Sequence, residues 1–141
     1  MSGCKSPVPL HPPLYARFYL EASPGEPGVP VRGGSITVGA RPVLTEYDIA
    51  NAGVGQTELG QCLQFYLTSV AARDLHRLSQ KMRGRRLVLA LNDALIGAQY
   101  LDRDLPDGTI MMFVEIPDAQ LPSLVARIRQ TSANLAVGRP K

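Results

Sequence analysis

A chain of 141 residues, 45% hydrophobic and 19% charged, is long enough for one cored domain and too apolar to remain disordered. Its 15 basic and 12 acidic residues leave a net charge of +3, which is no general polyanion-binding surface. Trp is absent, and three Phe and five Tyr provide few platforms for stacking single-stranded bases. No apolar run approaches membrane-spanning length.

Residues 1–14 read as a Pro-rich tether carrying Pro7, Pro9, Pro12 and Pro13. Ser2-Gly3-Cys4 matches the end of a bacterial lipobox, in which the cysteine is acylated. Cys4 is therefore the expected lipid-attachment site, and the protein an anchored periplasmic lipoprotein. Met1 to Leu14 lacks the apolar run of an export signal, so the alternative is a cytoplasmic chain with an incidental cysteine. Cys62 lies far away in a strand pattern and reads as a small buried apolar residue.

Tyr15 to Glu21 has the aromatics and partial alternation of a first strand. Ser23 to Gly34 holds three Pro and four Gly, which excludes helix and inner strand. Ser35 to Gly39 is a short strand, and Thr45 caps one helical turn before Asp48. Gly53 to Gly60 is weakly patterned, a hairpin bend or short edge strand. Gln61 to Leu67 alternates, with Cys62, Gln64 and Tyr66 on one face and Leu63, Phe65 and Leu67 on the other.

Thr68 then caps a helix whose Ala71, Leu75, Leu78 and Met82 share one face, stopped by Gly84. Leu87 to Leu91 is an unbroken apolar run, as in a strand covered on both faces. Asn92-Asp93 is a two-residue turn into a strand over Ala94 to Leu101. A polar loop to Gly108 leads into a strand from Thr109 to Glu115. Leu121, Leu124, Val125 and Ile128 share the face of a second helix that starts near Pro122. Residues 15–130 thus form one domain, and 131–141 read as a flexible tail.

Between Ser69 and Arg86 stand Arg73, Arg77, Lys81, Arg83, Arg85 and Arg86 against the single acid Asp74, a local charge of +5. These six are the candidate interaction surface. Arg73, Arg77 and Lys81 follow at i+4 on the helix face opposite Ala71 and Leu75. An anionic lipid surface, an acidic protein or nucleic acid would complement them, and nucleic acid is disfavoured because no binding motif accompanies the charge. An ordinary solvated helix face is the plain alternative.

Catalytic and metal motifs are lacking. His11 falls in the tether and His76 off the apolar helix face, so neither is set up as a general base. Asp102-x-Asp104-x-x-Asp107-Gly108 has spaced carboxylates, but Pro106 replaces a donor that a calcium loop requires. The sequence implies no catalytic residues, no metal and no cofactor.

Several motifs, in order, resemble the periplasmic head subdomain of SecD, a bacterial protein-export subunit. They are Pro42-Val43-Leu44-Thr45 with Asp48-Ile49-Ala50-Asn51-Ala52, and Phe65-Tyr66-Leu67-Thr68 entering a helix. Gly84-Arg85-Arg86-Leu87 through Leu91, the Asn92-Asp93 turn, Leu95-Ile96-Gly97-Ala98 and Thr109-Ile110 follow. The chain departs from that pattern at Gln99, where the family has Pro, and at Asp107, where it has a Gly pair. The resemblance implies an α+β fold with a mixed or antiparallel sheet and two main helices on one face, in a ferredoxin-like arrangement. It also implies a non-enzymatic module of the cell envelope whose partner is an envelope protein or an extended polypeptide. The sheet face away from the helices then needs a cover or is itself the contact surface, where a sheet edge takes up the polypeptide by strand addition.

Overall fold

The computed structural model describes residues 13–33, 36–101 and 108–137. Within them run β1 (Ala16–Leu20), β2 (Val29–Pro30), β3 (Thr37–Val38), β4 (Ile49–Thr57) and β5 (Gly60–Leu67). Then come α1 (Ser69–Lys81), β6 (Arg86–Leu91), β7 (Ala94–Tyr100), β8 (Thr109–Met112) and α2 (Leu121–Val137).

The strands form antiparallel sheets in the orders β1-β6-β7 and β4-β5-β8, with β2 and β3 as a small pair. The apolar run of β6 occupies the centre of the first sheet, as its unbroken hydrophobicity requires. Asn92 and Asp93 turn β6 into β7 with φ of 49° and 68°, the left-handed pair that matches strand twist in a two-residue hairpin.

Alternation sorts the strands into faces. Phe18, Leu87, Leu89, Leu63, Phe65, Ile110 and Met112 point into one core, which Ala71 and Leu75 of α1 and Leu121, Val125 and Ile128 of α2 also enter. Both helices therefore serve one core, and the chain has the α+β architecture expected of it, with its strands divided between two sheets.

Three local expectations change. β4 is a nine-residue edge strand where the sequence offered a hairpin bend or a short edge strand, because β5 supplies the pairing that Gly53 and Gly55 lack by propensity. α2 runs past Gln130 to Val137. Its buried face continues through Thr131 and Ser132, whose polarity hides the period. The chain at residues 13–15 is pinned rather than tethering: Leu14 N–H donates to Thr131 Oγ1 at 3.0 Å, and Asn92 Nδ2 to the Pro13 carbonyl at 3.2 Å.

The outer face of β1-β6-β7 is sealed. Val31, Ile36 and Val38 fold over Tyr19, Val88, Leu95 and Ala98 to make a second apolar cluster. That face is not available as a polypeptide contact surface, which removes the basis of the strand-addition expectation on this sheet. Over β4-β5-β8 no second cluster of buried residues forms among the described residues, and Tyr66 and Met111 stand 40% and 39% exposed there.

Candidate interaction surface

Thr68 begins α1 as predicted, its Oγ1 accepting the Ala71 N–H at 3.4 Å. Ala71, Leu75 and Ser79 are buried, so Arg73, Arg77 and Lys81 are carried outward and are exposed. No described residue forms an ion pair with these three. They make a short basic stripe along the helix.

The other candidates lie past the end of α1 and divide. Arg83 is exposed. Arg85 pairs with Glu26 at 3.0 Å, and Arg86 with Glu21 at 2.6 Å while its guanidinium lies 5.8 Å from the Tyr100 ring centroid. Glu21 also accepts the Arg86 backbone N–H at 3.2 Å. Hydrogen bonding from Arg86 holds the Glu21 carboxyl below its ordinary value, against the opposing effect of burial. Both arginines thus hold the loop after β1 against the start of β6. Their charges line a cavity of about 510 Å³ with Glu21 and Glu26, but within it each is neutralised by its partner. The sequence groups six basic residues; the structure separates a helix stripe from a structural clasp.

Elsewhere, Arg17 of β1 makes a two-point contact with Glu46, Nε to Oε2 at 2.8 Å and Nη2 to Oε1 at 2.9 Å. Glu46 sits in the single helical turn Glu46–Asp48, which Thr45 and Asp48 close as a capping box ahead of β4. The hydrogen bonds from Arg17 hold the Glu46 carboxyl low and raise the Arg17 guanidinium. This pair fixes where β4 starts relative to β1.

Candidates for chemistry are not brought together. Cys4, His11, Asp102, Asp104 and Asp107 lie outside the described residues. Among the described residues no three His, Cys, Asp or Glu side chains are grouped to hold a metal. Cys62 is a free, buried thiol whose ionisation burial pushes up, which disfavours the thiolate a nucleophile needs. No helix among the described residues is long and apolar enough to cross a membrane.

Sheet edges supply the feature that sequence reading underestimated. The outer side of β1 is covered by the returning chain: Phe18 N–H donates to the Leu44 carbonyl at 2.9 Å, Val43 N–H to that of Phe18 at 2.8 Å, and Gly39 N–H to that of Leu20 at 3.0 Å. The outer side of β7 is met by the Arg32 carbonyl, bonded to Leu95 N–H at 2.8 Å, and by Glu115 N–H on the Ile96 carbonyl at 3.4 Å. β4, against which α2 packs, receives no such backbone hydrogen bonds on its outer side from the described residues and forms one margin of its sheet, β8 forming the other.

No family model matches the chain, and neither does any curated protein. Solved structures do. A structure of SecDF, described as a membrane component that enhances protein export, superposes with a TM-score of 0.66 at 13% identity, covering 83% of this chain and 62% of that one. SecDF in its super-membrane-facing form gives 0.67 at 14% identity, over 82% of this chain and 18% of that one. SecDF from Thermus thermophilus, a translocon-associated membrane protein, gives 0.55 at 13% identity, over 86% of this chain and 20% of that one. The chain thus spans less than two thirds of each of these proteins, and what it shares with them is the α+β fold of the SecDF periplasmic region.

Proposed function

We propose that this chain is a non-enzymatic protein-interaction module of the bacterial cell envelope that contacts extended polypeptide. One observation carries the reading: a fold like that of the SecDF periplasmic region has the nine-residue strand β4 at a sheet margin, with outward backbone groups over Val54 and Gln56 that no described residue bonds. The Ser2-Gly3-Cys4 motif supports tethering through Cys4, on the periplasmic side of a membrane. The test is binding of the full chain to a permanently unfolded, reduced and carboxymethylated protein, with the same protein in its native disulfide-bonded form as control. Selective capture of the unfolded form is the expected result. Equal or absent binding to both removes the reading.

A second reading rests on the Arg73, Arg77 and Lys81 stripe: contact with an anionic membrane surface, each basic residue close to it adding about 1 kcal/mol. Cosedimentation with vesicles containing phosphatidylglycerol tests it. Binding that falls steeply with salt and is lost in the triple charge reversal supports lipid contact, whereas salt-insensitive binding excludes the stripe. Nucleic acid remains the less supported polyanion.

A further inference from the structure

We propose that the outer margin of β4 from Gly53 to Thr57 is the acceptor site, where an extended, uncharged polypeptide segment adds as a fourth strand to β4-β5-β8. This rests on the polypeptide-contact reading and names the surface and the chemistry of its partner.

Backbone parity defines the site. Thr68 N–H donates to the Asp48 carbonyl and Leu67 N–H to the Gly108 carbonyl, so even-numbered residues at this end of β5 bond towards β4 and odd-numbered ones towards β8. Cys62, Gln64 and Tyr66 face Gly55, Gly53 and Asn51 in the register. Along an antiparallel strand the bonding direction alternates, so Ala52, Val54 and Gln56 turn their N–H and carbonyl groups to the free side. The Ala52 N–H is already taken by Asn51 Oδ1 at 2.9 Å, and the register shifts between Ile49 and Asn51. That end is closed. Val54 and Gln56 retain outward donors and acceptors with no described partner.

Natural edge strands are commonly protected by a lysine, a proline or another charge. Ile49–Thr57 contains none of these. Val54, 36% exposed, gives the margin an apolar side chain, and Gly53 and Gly55 present no side chains on the opposite face. An incoming strand therefore meets an apolar contact on one face and no bulk on the other. Backbone pairing with one apolar preference recognises a class of segment rather than a sequence. The strand has no charge of its own, so the partner segment is neutral and its binding is insensitive to salt, unlike anything held by the α1 stripe.

The probe is an acetylated, amidated decapeptide of four Thr-Val repeats with a serine at each end, titrated into the full chain. The control is the same peptide N-methylated at alternate residues, which removes the donors of one edge. Amide hydrogen exchange is read residue by residue. The expected result is slowed exchange at Val54 and Gln56, lost with the N-methylated peptide and lost in Val54→Pro and in Gln56→Pro. Each proline removes an outward N–H and no bond to β5, and edge strands accept proline there; thermal unfolding checks that both variants fold. Peptide binding that protects other residues, or that ignores N-methylation, overturns this site and leaves the polypeptide reading standing. Failure to bind both the peptide and the unfolded protein overturns both. Protection of β4 without peptide that grows with protein concentration assigns the margin to a second copy of this chain and overturns the proposal.

Discussion

The Phe18 and Phe65 rings meet edge to face, with centroids 5.1 Å apart and planes at 90°. Phe18 belongs to β1 and Phe65 to β5, so this contact joins the inner faces of two sheets that share no strand. Both side chains are fully buried, and the edge-to-face geometry adds about 0.5–1.5 kcal/mol to the burial itself. Phe65→Ala is expected to cost roughly 3–5 kcal/mol, measured by urea unfolding. A loss below 1 kcal/mol would mean that the sheets are held together elsewhere.

The Arg17–Glu46 pair makes stability depend on acid. Glu46 is held below its ordinary 4.5 by the hydrogen bonds from Arg17. A lowered folded-state value means that its contribution is present above 4.5 and is lost as pH falls through the lower, folded value. Glu21, lowered by Arg86, adds to the same limb. Glu46→Gln should therefore lower stability at neutral pH and flatten its decline below that point, seen in melting temperatures across the acid range. An unchanged acid limb in Glu46→Gln with Glu21→Gln would show that other carboxylates control it.

What the sequence disclosed follows its periodicities. α1, with Thr68 before it and the Ala71/Leu75 face within it, was legible because capping and the 3.6-residue period act locally. The same holds for the alternation of β5 and the central β6. β4 was legible only as a bend or a short edge strand, since glycine weakens a strand pattern and the pairing that extends it to nine residues comes from β5. Nor were the partners of Arg85 and Arg86 legible, because Glu26 and Glu21 lie 59 and 65 residues away. Charge counting groups residues by sequence, and long-range pairing then ties two of them into ion pairs.

Thr131 tests the pinning of the amino-terminal segment to α2. Its hydroxyl accepts the Leu14 N–H at 3.0 Å and donates to the Arg127 carbonyl at 3.0 Å, in a buried setting. Thr131→Val keeps the volume and leaves the Leu14 N–H without its acceptor, at a cost of about 1–3 kcal/mol. Thr131→Ser keeps the hydroxyl and should lose much less. Similar losses in both would assign the effect to packing of the methyl group.

The division of the basic residues makes opposite forecasts for two sets of variants. Arg73→Glu, Arg77→Glu and Lys81→Glu alter exposed side chains without described ion-pair partners, so each should stay within about 0.5 kcal/mol of the parent in stability. Arg86→Ala removes the hydrogen-bond partner of Glu21 and should destabilise by roughly 1–2 kcal/mol, in this half-exposed setting. Chemical unfolding of the four variants checks this. If reversal on α1 destabilises as much as Arg86→Ala, the stripe is part of the fold.

Two glycines of β4 should respond oppositely to alanine. A Cβ at Gly55 would lie 2.9 Å from Cys62 Sγ, 3.2 Å from Gln64 Oε1 and 3.4 Å from Met111 Cε, whereas one at Gly53 meets nothing within 4 Å. Neither has a positive φ, so the contrast is steric rather than a matter of backbone strain. Gly53→Ala should be neutral or stabilise by about 0.4–1 kcal/mol through the unfolded chain. Gly55→Ala should cost about 1–3 kcal/mol by overpacking against the buried Cys62 thiol. Because that clash has one named partner, Cys62→Ala should relieve it, and the double variant should be more stable than the two single losses predict. Strict additivity in that cycle would mean that β4 moves away from β5 as a unit, and it would place the rigidity of this sheet margin in doubt.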